Sequence, residues 1–435
     1  MMSRPRVLVI STDRVGGEVR GVGIRSYEIA RSLVDIADVT LAGVGEPQST
    51  SPELALLGYD PTRPAALRAA ISDADVIISQ PQSTVVAGWI AQSGARYITD
   101  LYDPEIFENL ELFRHDPDRL ARLWITLTTD RLASALRSAH HFICASDRQR
   151  DLWLGAMVGQ RAISLSRYCS DPSMSTTALV VPFGVPSDPP VRDAAHGVRA
   201  RFPDLGPGTE VVLWNGGIWS WLDPETAVRA IGILSERRPS VRLITMGASD
   251  HKNGAAAAKE MSRVASQLGL LGRVVLMNDG WVPYAHRGSW LLEANCALSC
   301  HHEHLETRFA FRTRLLDCFW AGLPVVCNEG DVLADRVRAD RLGEVVEPDD
   351  PVALADAIER VLDAGKPLFA AALAEAAAEY EWPRVTAPLR ATVGLGRPER
   401  AERSTTRGPQ VGERARSLAQ AAARGASTLA RRVRS

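Results

Sequence analysis

Twice along its 435 residues the chain runs through one rhythm: a short apolar segment, a polar or glycine-bearing loop, an amphipathic stretch, another apolar segment. That rhythm leaves few folds open. Parallel strands need long crossovers between them, and amphipathic helices need a sheet face against which to bury their apolar stripe. The first series places strands at 7–10, 39–42, 76–79, 97–100, 141–145 and 179–182. Helices are predicted at about 24–34, 62–72, 84–93 and 117–138, and from Asp147 onward. A Pro- and Gly-rich stretch over 182–208 then marks a boundary. The second series places strands at 211–214, 241–246, 274–277, 297–300, 325–327 and 343–346. Its helices are predicted at 224–237, 255–268, 286–294, 307–321, 351–363 and 368–379. The fold class read from this is α/β: two doubly wound parallel-sheet, Rossmann-like domains facing a cleft, with ligands at the carboxyl ends of the strands.

The bulk properties narrow the class further. The length exceeds what one core usually serves and divides into domains at 1–190 and 191–393, with a tail at 394–435. A hydrophobic content of 46% and a charged content of 23% are those of a globular protein, and no apolar run is long enough to span a bilayer. Thr12, Asp13 and Arg14 interrupt the apolar start, so no signal peptide is predicted and a cytoplasmic protein is expected. The six cysteines form no CxxC pair and read as free thiols. Cys296, Cys300, His301 and His302 have the residue types of a zinc site, but such a site would also need the preceding loop; no metal is expected. The net charge of −2 conceals an asymmetry: ten arginines against three glutamates after position 393 make the tail +7 and leave −9 on the rest. No nucleic-acid partner is expected. The tail, with apolar residues on one side of a basic helix pattern, suits either an anionic membrane surface or a solvated extension.

Four segments carry residues fit for chemistry. Gly16, Gly17, Gly21 and Gly23 follow the first strand, and Gly216 and Gly217 follow the first strand of the second series. Glycines there let backbone N–H groups approach an anion at a helix start. The pattern is neither a dinucleotide fingerprint nor a Walker loop. Asp100-Leu101-Tyr102-Asp103 leaves the end of a strand, where a carboxylate can orient a hydroxyl or move a proton; Asp103 could equally cap the helix after Pro104. Residues 301–327 crowd Glu303, Glu306, Arg308, Arg312, Arg314 and Asp317 against an apolar helix face, directly after a buried strand. Guanidinium groups in that position suit phosphate, whereas the bland alternative is a salt-bridged helix start. Trp219, Trp221 and Trp281 offer surface for stacking on a base or sugar, while Trp290 reads as core.

With these residues laid out, the chain resembles a two-domain GT-B glycosyltransferase of the family-4-like retaining group, over about 5–390. The segments that carry the resemblance are ICASDRQRDLWLGAM (143–157), VVPFGVP (180–186), LWNGGIWSWLDPETAVRA (213–230), GWVPYAHRGSWLLEA (280–294) and HLETRFAFRTRLLDCFWAGLPVV (304–326). They look like a bacterial subgroup associated with surface polysaccharides. The segment after 380 resembles the one that crosses back to domain one in this fold. The family has two glutamates eight apart before Gly-x-Pro-Val-Val. Counting back from Gly322, the second falls on Asp317 and the first on Phe309, with Glu306 the nearest carboxylate. The family's Arg/Lys pair beside the second glycine loop has no counterpart in 215–223.

The resemblance implies transfer of a sugar from a nucleotide-diphosphate sugar to a saccharide or lipid-linked acceptor, with no cofactor beyond the donor. By the same carry-over Gly216 and Gly217 border the diphosphate, and Arg308, Arg312 and Arg314 offset its charge. Glu306 orients the sugar, Asp317 binds ribose, Gly21 and Gly23 border the reaction centre, and Asp103 stands on the acceptor side. A nucleotide-sugar epimerase on the same fold and a catalytically silent binding subunit are the alternatives.

Overall fold

The computed structural model describes residues 4–16, 21–49, 51–115, 117–247 and 252–398. They fall into two compact units: one reaches to Phe183 and resumes at Trp382, and the other is Gly184–Glu381.

The first unit is built on a seven-stranded sheet: β1 (Arg6–Ile10), β2 (Asp38–Val44), β3 (Ala55–Tyr59), β4 (Val76–Ser79), β5 (Arg96–Asp100), β6 (His141–Cys144) and β7 (Ala178–Val180). Their order is β3-β2-β1-β4-β5-β6-β7, and every pairing is parallel. Both faces are covered, as the continuous apolar strands require. Val7 and Val9 point into a core with Ile29, Ala30 and Leu33, whereas Leu8 and Ile10 point into another with Leu67, Ile71, Val86 and Ile90. Leu389 and Val393, on the helix Ala387–Gly394, join the first of these cores. Arg390 then forks onto Asp35, at 2.6 and 2.7 Å.

The second unit carries β8 (Glu210–Trp214), β9 (Val241–Thr245), β10 (Val275–Met277), β11 (Cys296–Ser299), β12 (Val325–Asn328) and β13 (Gly343–Val346). The order is β10-β9-β8-β11-β12-β13, again all parallel. In each sheet the strand order reverses at one strand, β1 in the first and β8 in the second. The glycine loops read from the sequence follow those two strands, where a doubly wound sheet opens its ligand crevice.

Several features depart from the sequence expectation, among them the unpredicted helices Leu165–Ser170 and Val332–Asp340. β3 was not anticipated: it is an edge strand whose Ala55, Leu56 and Gly58 are exposed, and its run ALLGY carries none of the β-branched residues found in most of the other strands. The units part after Phe183, ahead of the expected position 190. Residues 184–190 belong with the second unit, where Trp320 Nε1 donates to the Asp188 carbonyl at 2.7 Å and Ser187 Oγ to Glu381 at 2.7 Å. The helix expected over 307–321 is two helices, Leu305–Phe309 and Thr313–Trp320, separated at Ala310, Phe311 and Arg312. Among the described residues no helix is long and apolar enough to cross a membrane. The basic segment from 399 onward and Gly17 of the first glycine loop lie outside the described residues.

Candidate active site

In the second unit the switch between β8 and β11 sets two loops side by side. The first, Asn215–Asp223, turns at Gly216 with φ +88°, a left-handed conformation that glycine adopts without strain. A Cβ at Gly217 would come within 3.0 Å of Trp219 Nε1, so the tryptophan lies tight against the loop. Trp219 and Trp221 stack face to face, with centroids 5.3 Å apart and planes within 1°. Asp223 ends the loop by capping the helix Pro224–Arg237 through Thr226 N at 2.9 Å.

The second loop runs from Cys300 into the broken helix, and the break has a physical cause. Glu306 is 1% exposed and both its oxygens are taken by Arg312, Nη1 to Oε1 at 2.8 Å and Nη2 to Oε2 at 2.7 Å. Residues six apart do not share a helix face, so this fork closes only if the chain leaves the helix between them. His304 caps the short helix: Nδ1 accepts from Thr307 N at 3.2 Å, so the proton sits on Nε2, which meets the Trp221 carbonyl at 3.0 Å. The two loops are thereby tied together.

This geometry redistributes the roles expected of the charged cluster. Glu306 does not present a carboxylate to a ligand; it holds Arg312 in place. Arg312, 7% exposed and compensated by Glu306, is correspondingly unsuited to the diphosphate. Arg308 is exposed on the short helix. Arg314 is the cation that the loop receives. Its Nη2 donates to the Gly217 carbonyl at 2.9 Å, its Cζ lies 5.9 Å over the Trp214 ring, and a Cβ on Gly216 would meet its Cζ at 3.6 Å. Its Nη1 is buried and has no hydrogen-bond partner. Protein packed around the guanidinium, and next the charge on Arg312, pull its pKa down to about 10, still charged at neutral pH. Asn215 holds this helix start against the glycine loop by donating Nδ2 to the Arg314 carbonyl at 2.7 Å. Sequence reading gave no role to Asn215 or His304, although each lies within a segment it had singled out. Asp317 stands on the same helix, partly exposed, with Oδ1 accepting from Arg287 Nε at 3.0 Å. Arg287 is itself packed between the rings of Tyr284 and Trp320. Burial pushes the Cys296 thiol up to about 12 and that of Cys300 well above the usual range.

In the first unit Arg25 and Asp100 form a buried fork at 2.7 and 3.1 Å, and the same guanidinium donates to the carbonyls of Val181 and Pro182. Asp100 is thus a structural anchor. Gly21 begins the helix Gly21–Arg31 and Gly23 is buried within it; a Cβ on Gly21 would stand 3.3 Å from the Tyr102 hydroxyl. Asp103 stands immediately before Pro104, the N-cap residue of the helix Glu105–Leu112. It lines a cavity of about 200 Å³ with Gln80, Tyr102, Glu105, Arg131 and Trp153.

The family of glycosyl transferases group 1 matches residues 209–364, which hold β8 to β13 and both loops of the site. The second unit carries a group 1 glycosyltransferase domain. The chain is similar in structure to HepE of Anabaena, solved in complex with UDP-glucose. The TM-score is 0.62 at 14% identity, covering 90% of this chain and 100% of that one. It is also similar to WaaG, a glycosyltransferase involved in lipopolysaccharide biosynthesis (0.59, 13%, 88% and 98%). A third likeness is to sucrose-phosphate synthase from Thermosynechococcus elongatus (0.57, 17%, 96% and 100%). At such identities the likeness establishes the fold, the GT-B pair of parallel-sheet α/β domains. No curated protein matches the sequence.

Proposed function

We propose that the group 1 domain binds a nucleotide-diphosphate sugar and that the chain transfers its sugar to a saccharide or lipid-linked acceptor, with retention at the anomeric carbon. The observation that carries this reading is Arg314: a guanidinium with one buried, unpartnered Nη set beside a positive-φ glycine in the loop after the switch strand. As the bond from the sugar to the diphosphate breaks, negative charge gathers on the leaving oxygen. A preorganised cation and loop amides at Gly216 and Gly217 stabilise that charge more in the transition state than in the bound donor. The Trp219–Trp221 stack supplies a flat apolar surface for base or sugar. Asp317, with Oδ1 held by Arg287, has Oδ2 to accept a ribose hydroxyl. In the first unit the cavity beside Asp103 suits an acceptor sugar: a partly buried carboxylate among Tyr102 and Trp153. A role in surface polysaccharide or glycoconjugate assembly is favoured by the likeness to WaaG, and a uridine nucleotide by the likeness to HepE. The basic segment after 393 favours contact with an anionic membrane surface.

The test is titration calorimetry with UDP and other nucleoside diphosphates, followed by a donor screen for slow sugar-nucleotide hydrolysis. Binding and hydrolysis are expected, with binding weakened in Asp317→Ala. Failure to bind any nucleoside diphosphate at millimolar concentration would sink the proposal. Sugar isomerisation without transfer would replace it with an epimerase, and binding without turnover of any donor with a silent subunit.

A further inference from the structure

Three loops at the carboxyl ends of β8, β11 and β13 bring Asp223, His302 and Asp349 together, with one ligand-type atom from each within 4.8 Å of the others. His302 Nδ1 lies 3.0 Å from Asp349 Oδ1 and 3.9 Å from Asp223 Oδ2. Asp223 is 1% exposed, and while its Oδ1 caps a helix, its Oδ2 is buried with no hydrogen-bond partner. A buried carboxylate oxygen left without a donor is costly, and a cation at that point removes the cost.

We propose that Asp223, His302 and Asp349 bind a divalent first-row transition cation such as zinc or manganese. Metal–ligand bonds of about 2.1 Å place ligands roughly 3.4 Å apart in the tetrahedral geometry of zinc, and roughly 3.0 Å (adjacent) or 4.2 Å (opposite) apart in an octahedral shell such as that of manganese. The observed spacings approach that range. One imidazole with two carboxylates favours zinc or manganese over magnesium and calcium, which take all-oxygen shells. Half-exposed His302 and exposed Asp349 leave the remaining positions to water.

The position gives the ion a structural consequence. Asp223 ends the loop that carries Gly216, Trp219 and Trp221, and His302 stands two residues before His304, which meets the Trp221 carbonyl. A cation there clamps both site loops to the loop after β13. It is a clamp on the loops and takes no part in the leaving-group chemistry assigned to Arg314, so the inference stands whether or not a sugar is transferred. A second cluster, Asp193, His196 and His286, offers a similar donor set. Its residues are not buried and it holds no orphaned buried oxygen, which makes it the internal control.

The experiment strips the full chain with chelator and titrates it with MnCl2, followed by electron paramagnetic resonance, and with ZnCl2 by calorimetry. One saturable equivalent is expected. His302→Gln and Asp349→Asn should each weaken it by on the order of 100-fold, and zinc should raise the melting temperature of the parent but not of Asp349→Asn. Both side chains reach solvent, so circular dichroism should show the variants folded. His286→Gln should bind as the parent does. The proposal is overturned by a parent with no saturable binding at 100 µM, by unchanged binding in both loop variants, or by loss in His286→Gln alone.

Discussion

Replacing Arg314 by methionine separates what the guanidinium does for a ligand from what it does for the fold. The methionine stem fills much the same space without the charge. Tenfold changes in acidity correspond to about 1.4 kcal/mol, so a cation whose pKa is held down to about 10 is disfavoured by roughly 2–3 kcal/mol once partial solvent access is allowed for. Because the folded value lies below the ordinary one, that cost is present in full at every pH below about 10. Against it stands the charged hydrogen bond to the Gly217 carbonyl, about 1.5–3 kcal/mol. The two nearly cancel, so Arg314→Met without ligand should be within about 1 kcal/mol of the parent in scanning calorimetry. With a nucleoside diphosphate the outcome inverts. Losing a buried charged contact to phosphate costs about 2–4 kcal/mol, a Kd roughly 30- to 1000-fold weaker by titration. The reasoning is refuted if the unliganded variant loses more than about 3 kcal/mol, or if it keeps UDP affinity within about threefold.

Other perturbations read other parts of the molecule. Glu306→Ala strands the buried charge of Arg312 and should lower stability by about 3–5 kcal/mol in denaturant unfolding; lost turnover at unchanged stability would return Glu306 to a substrate-orienting role. Trp219→Ala removes half of the stacked pair and should weaken UDP binding by about 1–2 kcal/mol, with an unchanged far-ultraviolet dichroism spectrum. Burial raises the Asp171 carboxyl, but hydrogen bonds from Thr176, Ser173 and Thr177 outweigh it and hold the group down to about 2. Its contribution is therefore present above the ordinary carboxylate range and lost as pH falls toward 2. Acid unfolding of Asp171→Asn should show a shallower pH dependence over that window, and identical curves would contradict it.

Much of the fold was legible from one dimension. The strand–helix alternation, the two parallel sheets and the glycine loops after β1 and β8 follow from apolar periodicity and from glycine's place after a strand, both local properties. The helices Thr84–Ser93 and Pro224–Arg237 matched residue for residue, since a Ser or an Asp caps each start. The edge strand β3 escaped because its run of leucine and alanine carries no β-branched residue to mark it as a strand. The candidate site was legible as a neighbourhood but not as a set of roles. A continuous helix over 307–321 satisfied the periodicity of the apolar residues. It could not register that Glu306 and Arg312 neutralise each other across a break, because the preference of a buried carboxylate for a fork six residues away depends on desolvation that only the packed unit imposes.

The sequence alone therefore determined the architecture and where along the chain the glycine loops follow the switch strands, since those depend on patterns within one element and its flanks. Tertiary structure decided which arginine keeps a buried Nη without a partner and which loops come together at Asp223, His302 and Asp349. Charge is satisfied or orphaned by neighbours that are distant in the chain, and no local pattern records them.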